Sequence, residues 1–360
     1  MPELYRGLTR FAADLPRVDR FVSLGEGGTP LLPLERIAGR IGVAELHAKM
    51  ESYNPTGSYK DRVAAMSISL AVSRDHAGWI ATSSGNAGNS FAAFGAKAGM
   101  PGFLCIVSTA PAEKIAAVNP YNVFVLPVEG IGSGGTPGAL QELFGRVEEA
   151  SCRHNLFLGV TANSLNPDGM RGVDTIGYEI VEQLREATHV YVPAGGGGLA
   201  ASVARGLAHR GSAASVIVCQ PQGCAPIVRT LDGELPHPVV DLCETEISGL
   251  QIPMPPDGGL AVDLVAASGG WGRSISDREI FDAQRELSET EGVFVEPASA
   301  TCLAAVRRDA EDGKLTPSDY PVIVLTGAGW KDLSRFRSSA GLAPVTVDEV
   351  TDQVARWVAA

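Results

Sequence analysis

The sequence has little basic charge, no long apolar run and no clustered metal ligands. Its 29 Lys and Arg are outnumbered by 41 Asp and Glu, for a formal net charge of -12. A chain with that balance does not hold nucleic acid or an acidic membrane through surface charge. No apolar stretch reaches the length that spans a bilayer. The first residues, "MPELYRGLTRFAADLPRVDR", are too charged for a secretory signal. The six cysteines (Cys105, Cys152, Cys219, Cys224, Cys243, Cys302) are scattered, without metal-ligand spacing. They read as reduced thiols of a cytoplasmic protein, and nothing beside them argues for the lowered pKa of a catalytic cysteine. The six histidines form no HxH or HExxH cluster, so no protein-borne metal site is expected.

What is present is a soluble globular composition, 45% hydrophobic over 360 residues, enough for two lobes and a substantial core. Short apolar runs alternate with helical stretches. Strands are expected at "GWIATSS" (78–84), "GFLCIVS" (102–108), "NVFVLPV" (122–128), "LFLGVT" (156–161), "HVYVPA" (189–194), "SVIVCQ" (215–220) and "YPVIVLTGAG" (320–329). Helices are expected between them, at 86–100, 111–118, 136–154, 174–186, 199–211, 277–292 and 298–313. The strands are continuous apolar runs rather than alternating ones. That predicts an α/β protein with parallel strands buried on both faces and helices as crossovers. Residues 251–264 read as an irregular surface connection.

Four turns stand out: "NPTGSYKDR" (54–62), "TSSGNAGNS" (82–90), "VPAGGGGLAAS" (192–202) and "VLTGAGWKD" (324–332). The last three follow strands, and ligands bind at the carboxyl ends of strands in open α/β sheets. Four consecutive glycines let backbone N–H groups approach an anion, and the next helix start adds its dipole. The loop lacks GxGxxG spacing and no Gly-Lys-Ser/Thr follows, so dinucleotide and P-loop readings are weaker. It could also be a tight turn that binds nothing. "SSGNAG" could hold a carboxylate and a phenolic oxygen, or could simply cap a helix. In "TGAG", Thr326 could meet a ring nitrogen, or the stretch could be a plain turn. Lys60 lies where a helix begins, a poor place for a cation unless it is solvated or has a task. A phosphate cradle, an amide, a hydroxyl and a lysine together fit pyridoxal phosphate, with the Lys60 amine forming a Schiff base.

On these segments, the chain resembles the pyridoxal-phosphate-dependent family of threonine synthase, threonine dehydratase and the cysteine synthases. "GEGGTPL" (25–31), "GVFVEPASA" (292–300) and "LTGAGWKD" (325–332) are similar to threonine synthases in particular. The resemblance implies two open, twisted, mostly parallel sheets flanked by helices. The cofactor would lie in a cleft between a large lobe (1–77 and 156–360) and a small substrate-closing lobe (78–155). It implies Lys60 as the cofactor lysine and catalytic base, and Asn86 beside the phenolic oxygen. Gly195, Gly196, Gly197, Gly198 and Leu199 would hold the phosphate, Thr326 would face the ring nitrogen, and Ser83, Ser84 and Ala87 would hold the substrate carboxylate. It also implies a homodimer. A hydroxyl at the ring nitrogen implies a neutral ring, which favours elimination and replacement over transamination.

Two features depart from threonine synthases. The phosphate loop is "GGGGL", as in dehydratases and β-replacement enzymes. In "NSLNPDGMR" (163–171), Asn163 keeps its place, but Gly169 stands where an arginine usually clamps the substrate phosphate. Arg171 is the substitute candidate, or a solvated helix-start residue. "SGGTPG" (133–138) is either a flexible turn or a mobile cover, and Tyr59 and Trp330 read as packing. The expected activity is a lyase acting on an amino acid such as O-phosphohomoserine, followed by addition at Cβ. The alternative is a serine/threonine dehydratase or β-replacement synthase. Only 333–360 follows the last motif, too short for a regulatory domain, which disfavours an allosteric dehydratase. A cofactor-binding module without turnover is the reading from another class, and retention of Lys60, Asn86 and Thr326 together argues against it.

Overall fold

The computed structural model describes residues 7–83, 85–108, 115–130, 138–333, 336 and 344–359. Among these residues, ten strands form two sheets. The six-stranded sheet contains β1 (Leu31–Pro33), β2 (His47–Lys49), β7 (His189–Pro193), β8 (Ser215–Pro221), β9 (Gly272–Ile275) and β10 (Pro321–Val324), in the order β1-β2-β10-β7-β8-β9. Only the β1–β2 pair is antiparallel. The four-stranded sheet is wholly parallel and runs β5-β4-β3-β6, from β3 (Gly78–Thr82), β4 (Gly102–Val107), β5 (Val123–Val128) and β6 (Leu156–Leu158). Because Leu156–Leu158 pairs with β3, this sheet extends three residues past 155.

The apolar runs are continuous because strand side chains alternate between two cores. In the large sheet, Val190, Val192, Val216, Val218, Val322 and Val324 face one core. That core also takes side chains from the helices α2 (Lys60–Ser73), α5 (Pro167–Gln183) and α6 (Gly198–His209). Tyr191, Ile217, Cys219, Ile323 and Leu325 face the other core, with α1 (Glu35–Ile41), α9 (Asp277–Glu291) and α10 (Pro297–Glu311). In the small sheet, Trp79, Ala81, Leu104, Ile106 and Phe157 join the first core beside α3 (Asn86–Ala98). Its opposite face meets α4 (Ala139–His154) through a small cluster centred on Ile80, Cys105 and Val147.

Two expectations need correction. Residues 258–267 are not irregular but form a helix, α8 (Gly258–Ala267), which opens on two glycines and then carries a mainly apolar run. Helix α5 begins seven residues earlier than its apolar periodicity predicts, at Pro167. Asn166 caps it by accepting from Gly169 N at 3.1 Å, and Pro at a first helical position is already shaped for a helix. Half of the helix expected at 111–118 (111–114) and most of "SGGTPG" (133–137) lie outside the described residues. No described helix is long and apolar enough to cross a membrane.

Candidate active site

The turn before Lys60 is held by its own polar side chains. Asp61 accepts from Thr56 N and Thr56 Oγ1, both at 2.6 Å. Asn54 donates to Glu51 O at 2.8 Å, and Gly57 takes φ +81. The turn is then stitched to the turn after β10. Tyr59 N donates to Thr326 O at 3.0 Å, Ala328 N to Gly57 O at 2.9 Å, and Ser58 bridges Gly327. Lys60 thus starts α2 beside Thr326. Its half-buried Nζ donates to Thr161 Oγ1 at 2.9 Å, just past β6.

Beneath this turn lies a buried ionic network. Arg62 meets Glu51 and Glu179 at 2.7–2.8 Å, and Lys49 meets Glu179 at 2.6 Å. Burial opposes ionisation of Glu179, but Arg62 and Lys49 outweigh it and hold the carboxyl well below its usual range. The "GEGGT" segment joins the network. Gly28 N donates to Glu179 at 2.7 Å, and Thr29 Oγ1 donates to Glu51 at 2.7 Å. These glycine and threonine contacts tie the segment to Glu179 of α5 and to Glu51, the two carboxylates that pair with Arg62 of the Lys60 helix.

Asn86 is the first residue of α3, but it does not cap it. Gly85 holds the cap position and no side chain bonds there. The Asn86 amide instead donates Nδ2 to Glu296, at 3.1 and 3.0 Å from the two carboxylate oxygens, and accepts at Oδ1 from Lys331 Nζ at 2.9 Å. Ser83 Oγ accepts from Gly85 N at 3.2 Å, a local turn contact, and Ala87 is buried. Ser84 lies outside the described residues. Thr326 Oγ1 is 2.9 Å from Ser299 Oγ, which also accepts from Gly327 N at 3.0 Å. If Ser299 spends its proton on Thr326, the Thr326 hydroxyl keeps its own proton to donate.

The four glycines end β7 and start the 12-residue helix α6. A Cβ on Gly195 would stand 2.5 Å from Gly249 O, and one on Gly197 (φ +87) 2.7 Å from Asp257 O. Packing against the 249–257 segment alone therefore excludes side chains there. The anion-binding property lies in the amides: among the described residues, no acceptor takes the N–H groups from Gly195 to Leu199. A row of free amides at the start of a helix suits a phosphate. Asp257 lies beside Gly198, but its carboxylate is satisfied by Asn163 N, Asn163 Nδ2 and Ser164 N at 2.7–3.2 Å. A free amide row, a half-buried amine and a hydroxyl that can either donate or accept fit pyridoxal phosphate.

Asn163 and Arg171 are engaged elsewhere. Asn163 Oδ1 accepts from Arg205 at 3.2 Å, and its Nδ2 is on Asp257. Arg171 Nε lies 2.8 Å from buried Asp174, which also binds Arg205. Both line a cavity of about 500 Å³ with Asp14, Pro16 and Arg205, and neither Lys60, Asn86, Thr326 nor the glycines border it. A Cβ on Gly169 would lie 2.2 Å from Ser67 Oγ, so this helix packing leaves no room for an arginine at that position. Sequence reading missed Thr161, Glu296, Ser299 and Lys331. Glu296, Ser299 and Lys331 belong to the motif segments, yet only the contacts assign them a place.

Residues 22–327 match the model of the family described as pyridoxal-phosphate dependent enzyme. The chain is 32% identical to a threonine synthase of Bacillus sp. (strain ULM1), over 98% of this chain and 97% of that protein. It is 30% identical to a threonine synthase of Methanosarcina acetivorans, over 90% and 80%. Among solved structures, the processed threonine deaminase isoform 2 of Solanum lycopersicum superposes with a TM-score of 0.71 at 21% identity, over 91% of this chain and 82% of that one. Maize serine racemase gives the same TM-score and identity, over 92% and 94%. These structures share the fold of two mostly parallel sheets flanked by helices. The chain belongs to the pyridoxal-phosphate dependent enzyme family, and it is a lyase whose cofactor is pyridoxal 5'-phosphate.

Proposed function

We propose that this lyase acts as threonine synthases do, removing the γ-phosphate from O-phosphohomoserine and adding water at Cβ. The observation that carries the reading is Lys60 Nζ, a half-buried amine on Thr161, sharing one stitched set of loops with Asn86 and Thr326. The likeness to threonine synthases over almost the whole chain supports it. When bound, the cofactor supplies an electron sink that makes the amino acid's α-proton removable. Lys60 would hold the cofactor, and its amine would take that proton as general base, with Thr161 Oγ1 orienting Nζ. The amides of Gly195, Gly196, Gly197, Gly198 and Leu199 would hold the cofactor phosphate, and Asn86 would serve the phenolic oxygen. Thr326 would offer its hydroxyl to the ring nitrogen, a neutral partner that would leave the ring uncharged. Ser83, Ser84 and Ala87 hold the substrate carboxylate at the start of α3.

One observation favours a second reading, a serine/threonine dehydratase or a β-replacement synthase. Of the candidates for the substrate phosphate, Asn163 spends its amide on Asp257 and Arg205, Arg171 pairs through Nε with Asp174, and the cavity both line is bordered by neither Lys60, Asn86 nor Thr326. For the wider setting, we infer a large lobe (1–77 and 156–360), a small closing lobe (78–155), a homodimer and a cytoplasmic location. The family resemblance supports the first three, and the unpaired cysteines support the last.

The test is the visible absorbance of the purified enzyme and of Lys60→Ala, titrated with O-phosphohomoserine, threonine, serine, O-phosphoserine and O-acetylserine. A Lys60-dependent band that shifts with O-phosphohomoserine and releases phosphate is the expected result. A shift only with β-substituted amino acids would move the protein to the second reading. A wild-type spectrum without the band would sink both.

A further inference from the structure

Two charged side chains grip Asn86 from opposite sides. Glu296 precedes α10, and its backbone N donates to Gly327 O at 3.0 Å. Lys331 ends the short turn Gly329–Lys331 after β10. Each enters through a gap left by a motif glycine. A Cβ on Gly327 would fall 1.8 Å from Glu296 Oε2, and one on Gly57 would fall 2.9 Å from Lys331 Cε. Any larger residue at Gly327 would displace the carboxylate, and at Gly57 it would crowd the ammonium's stem. The glycines of "PTG" and "TGAG" therefore admit this pair as well as shaping turns.

An asparagine amide can be turned over at little cost when its surroundings are neutral. Here they are not. An ammonium at 2.9 Å requires the oxygen, and a carboxylate at 3.0 Å requires the nitrogen. Turning the amide over would set the carbonyl oxygen against Glu296 and the NH2 against Lys331, two repulsive contacts in place of two charge-assisted hydrogen bonds. The two oxygens of one carboxylate subtend too small an angle at Nδ2 to engage both of its diverging N–H bonds. One N–H is shared between them, and the other has no acceptor among the described residues. Burial lowers the Lys331 pKa, with Glu296 and Asp61 pulling it back up. The Trp330 ring, 5.5 Å away, also faces the ammonium.

We propose that Glu296 and Lys331 are positioning residues that lock the Asn86 amide in one orientation and leave one N–H for the phenolic oxygen of the cofactor. The proposal rests on the reading of Asn86 given above. Neither side chain need touch the reacting atoms. Their effect passes through the amide, and that is what separates it from general support of the fold.

The experiment measures the visible absorption band of the bound cofactor and its dissociation constant. It compares wild type, K331M, K331R, E296Q, N86A and the double variants N86A/K331M and N86A/E296Q. K331M and E296Q are expected to shift the band and weaken cofactor retention about tenfold, the scale of one charge-assisted hydrogen bond. K331R, which still offers a donor to Oδ1, is expected to recover most of the loss. In the N86A background, neither second change should shift the band further, because its route is already cut. An unshifted band in both K331M and E296Q overturns the proposal, and so do shifts that add in full to that of N86A. If K331M does not fold, the E296Q pair and K331R decide it by the same criteria. A wild-type band that is absent, or that survives Lys60→Ala, overturns the functional reading along with this one. A Lys60-dependent band that ignores both positions overturns this one alone.

Discussion

The six-stranded sheet is buried on both faces by large cores, whereas the four-stranded sheet has one large core and one small cluster. Strands β7, β8 and β10 send valines into the first and Tyr191, Ile217 and Ile323 into the second. The small sheet shares the first core, but its other face rests on Ile80, Cys105, Val147 and partly buried neighbours. Its edge strand β5 leaves Phe124 61% exposed. The difference teaches where stability and motion are divided. Lys60, Thr326 and the glycine loop sit on the thickly packed part, and Ser83 and Asn86 on the thinly packed one. Local opening free energy follows apolar burial, so the small sheet is the part that opens first.

The largest break in that contrast is Arg62→Ala. It leaves Glu51 buried without its direct ion-pair partner and Glu179 with Lys49 alone, at a cost of about 3–5 kcal/mol. Chemical denaturation should show both sheets losing structure at a lower midpoint. Separate transitions, with the large sheet unmoved, would contradict it.

A like-for-like pair sharpens the comparison. Ile323→Ala, deep in the second core, should cost near the top of the roughly 2–5 kcal/mol range for such truncations. Ile80→Ala, in the small cluster that can collapse around the gap, should cost near the bottom. Equal costs by urea denaturation would mean that the small sheet is as well packed as the large one.

The native cysteines read the same difference without substitution. Exposed Cys152 should react first with a thiol reagent. Burial raises the pKa of both Cys105, in the small sheet, and Cys219, in the large one. Cys105 is expected to be labelled about tenfold sooner than Cys219, a difference of ~1.4 kcal/mol in opening. Labelling in the reverse order would refute a looser small sheet.

The smallest effect is on the acid side. Glu51 and Glu179 have folded pKa values held below their unfolded ones, despite burial, by Arg62 and Lys49. The unfolded chain therefore binds more protons once pH falls below about 4.3, and the stabilisation these groups give above that pH is lost as pH drops towards their folded values. Glu179→Gln should flatten this acid limb in denaturation midpoints measured from pH 6 to 3. A limb of unchanged slope would assign it to other carboxylates.

The parallel architecture was legible because strands buried on two faces must be apolar at every position, and "HVYVP" and "SVIVC" carry that mark alone. The short strands β1, β2 and β9 were not. "GRSI" is polar, and only pairing with β8 makes it a strand. Helix α8 escaped notice because two glycines and a proline-rich approach hide its start. The candidate site was legible as four turns, but its wiring was not. Asn86 and Glu296 are 210 residues apart, and Lys60 and Thr161 are 101 apart. Asn163 and Arg171 were legible only as residue types that suit an anion, and it took the contacts to show Asn163 on Asp257 and Arg205 and Arg171 Nε beside Asp174.

The sequence by itself determined the alternation of strand and helix, the four special turns and the place of the one lysine that opens α2. Those follow from periodicity and from backbone freedom, which act between neighbours along the chain. Only the tertiary structure decided which polar groups stay free and which are consumed, because a buried donor takes whichever acceptor the packing brings within hydrogen-bonding distance. That choice left the glycine-loop amides open and closed Asn163, and it set Glu296 and Lys331 on either side of one amide.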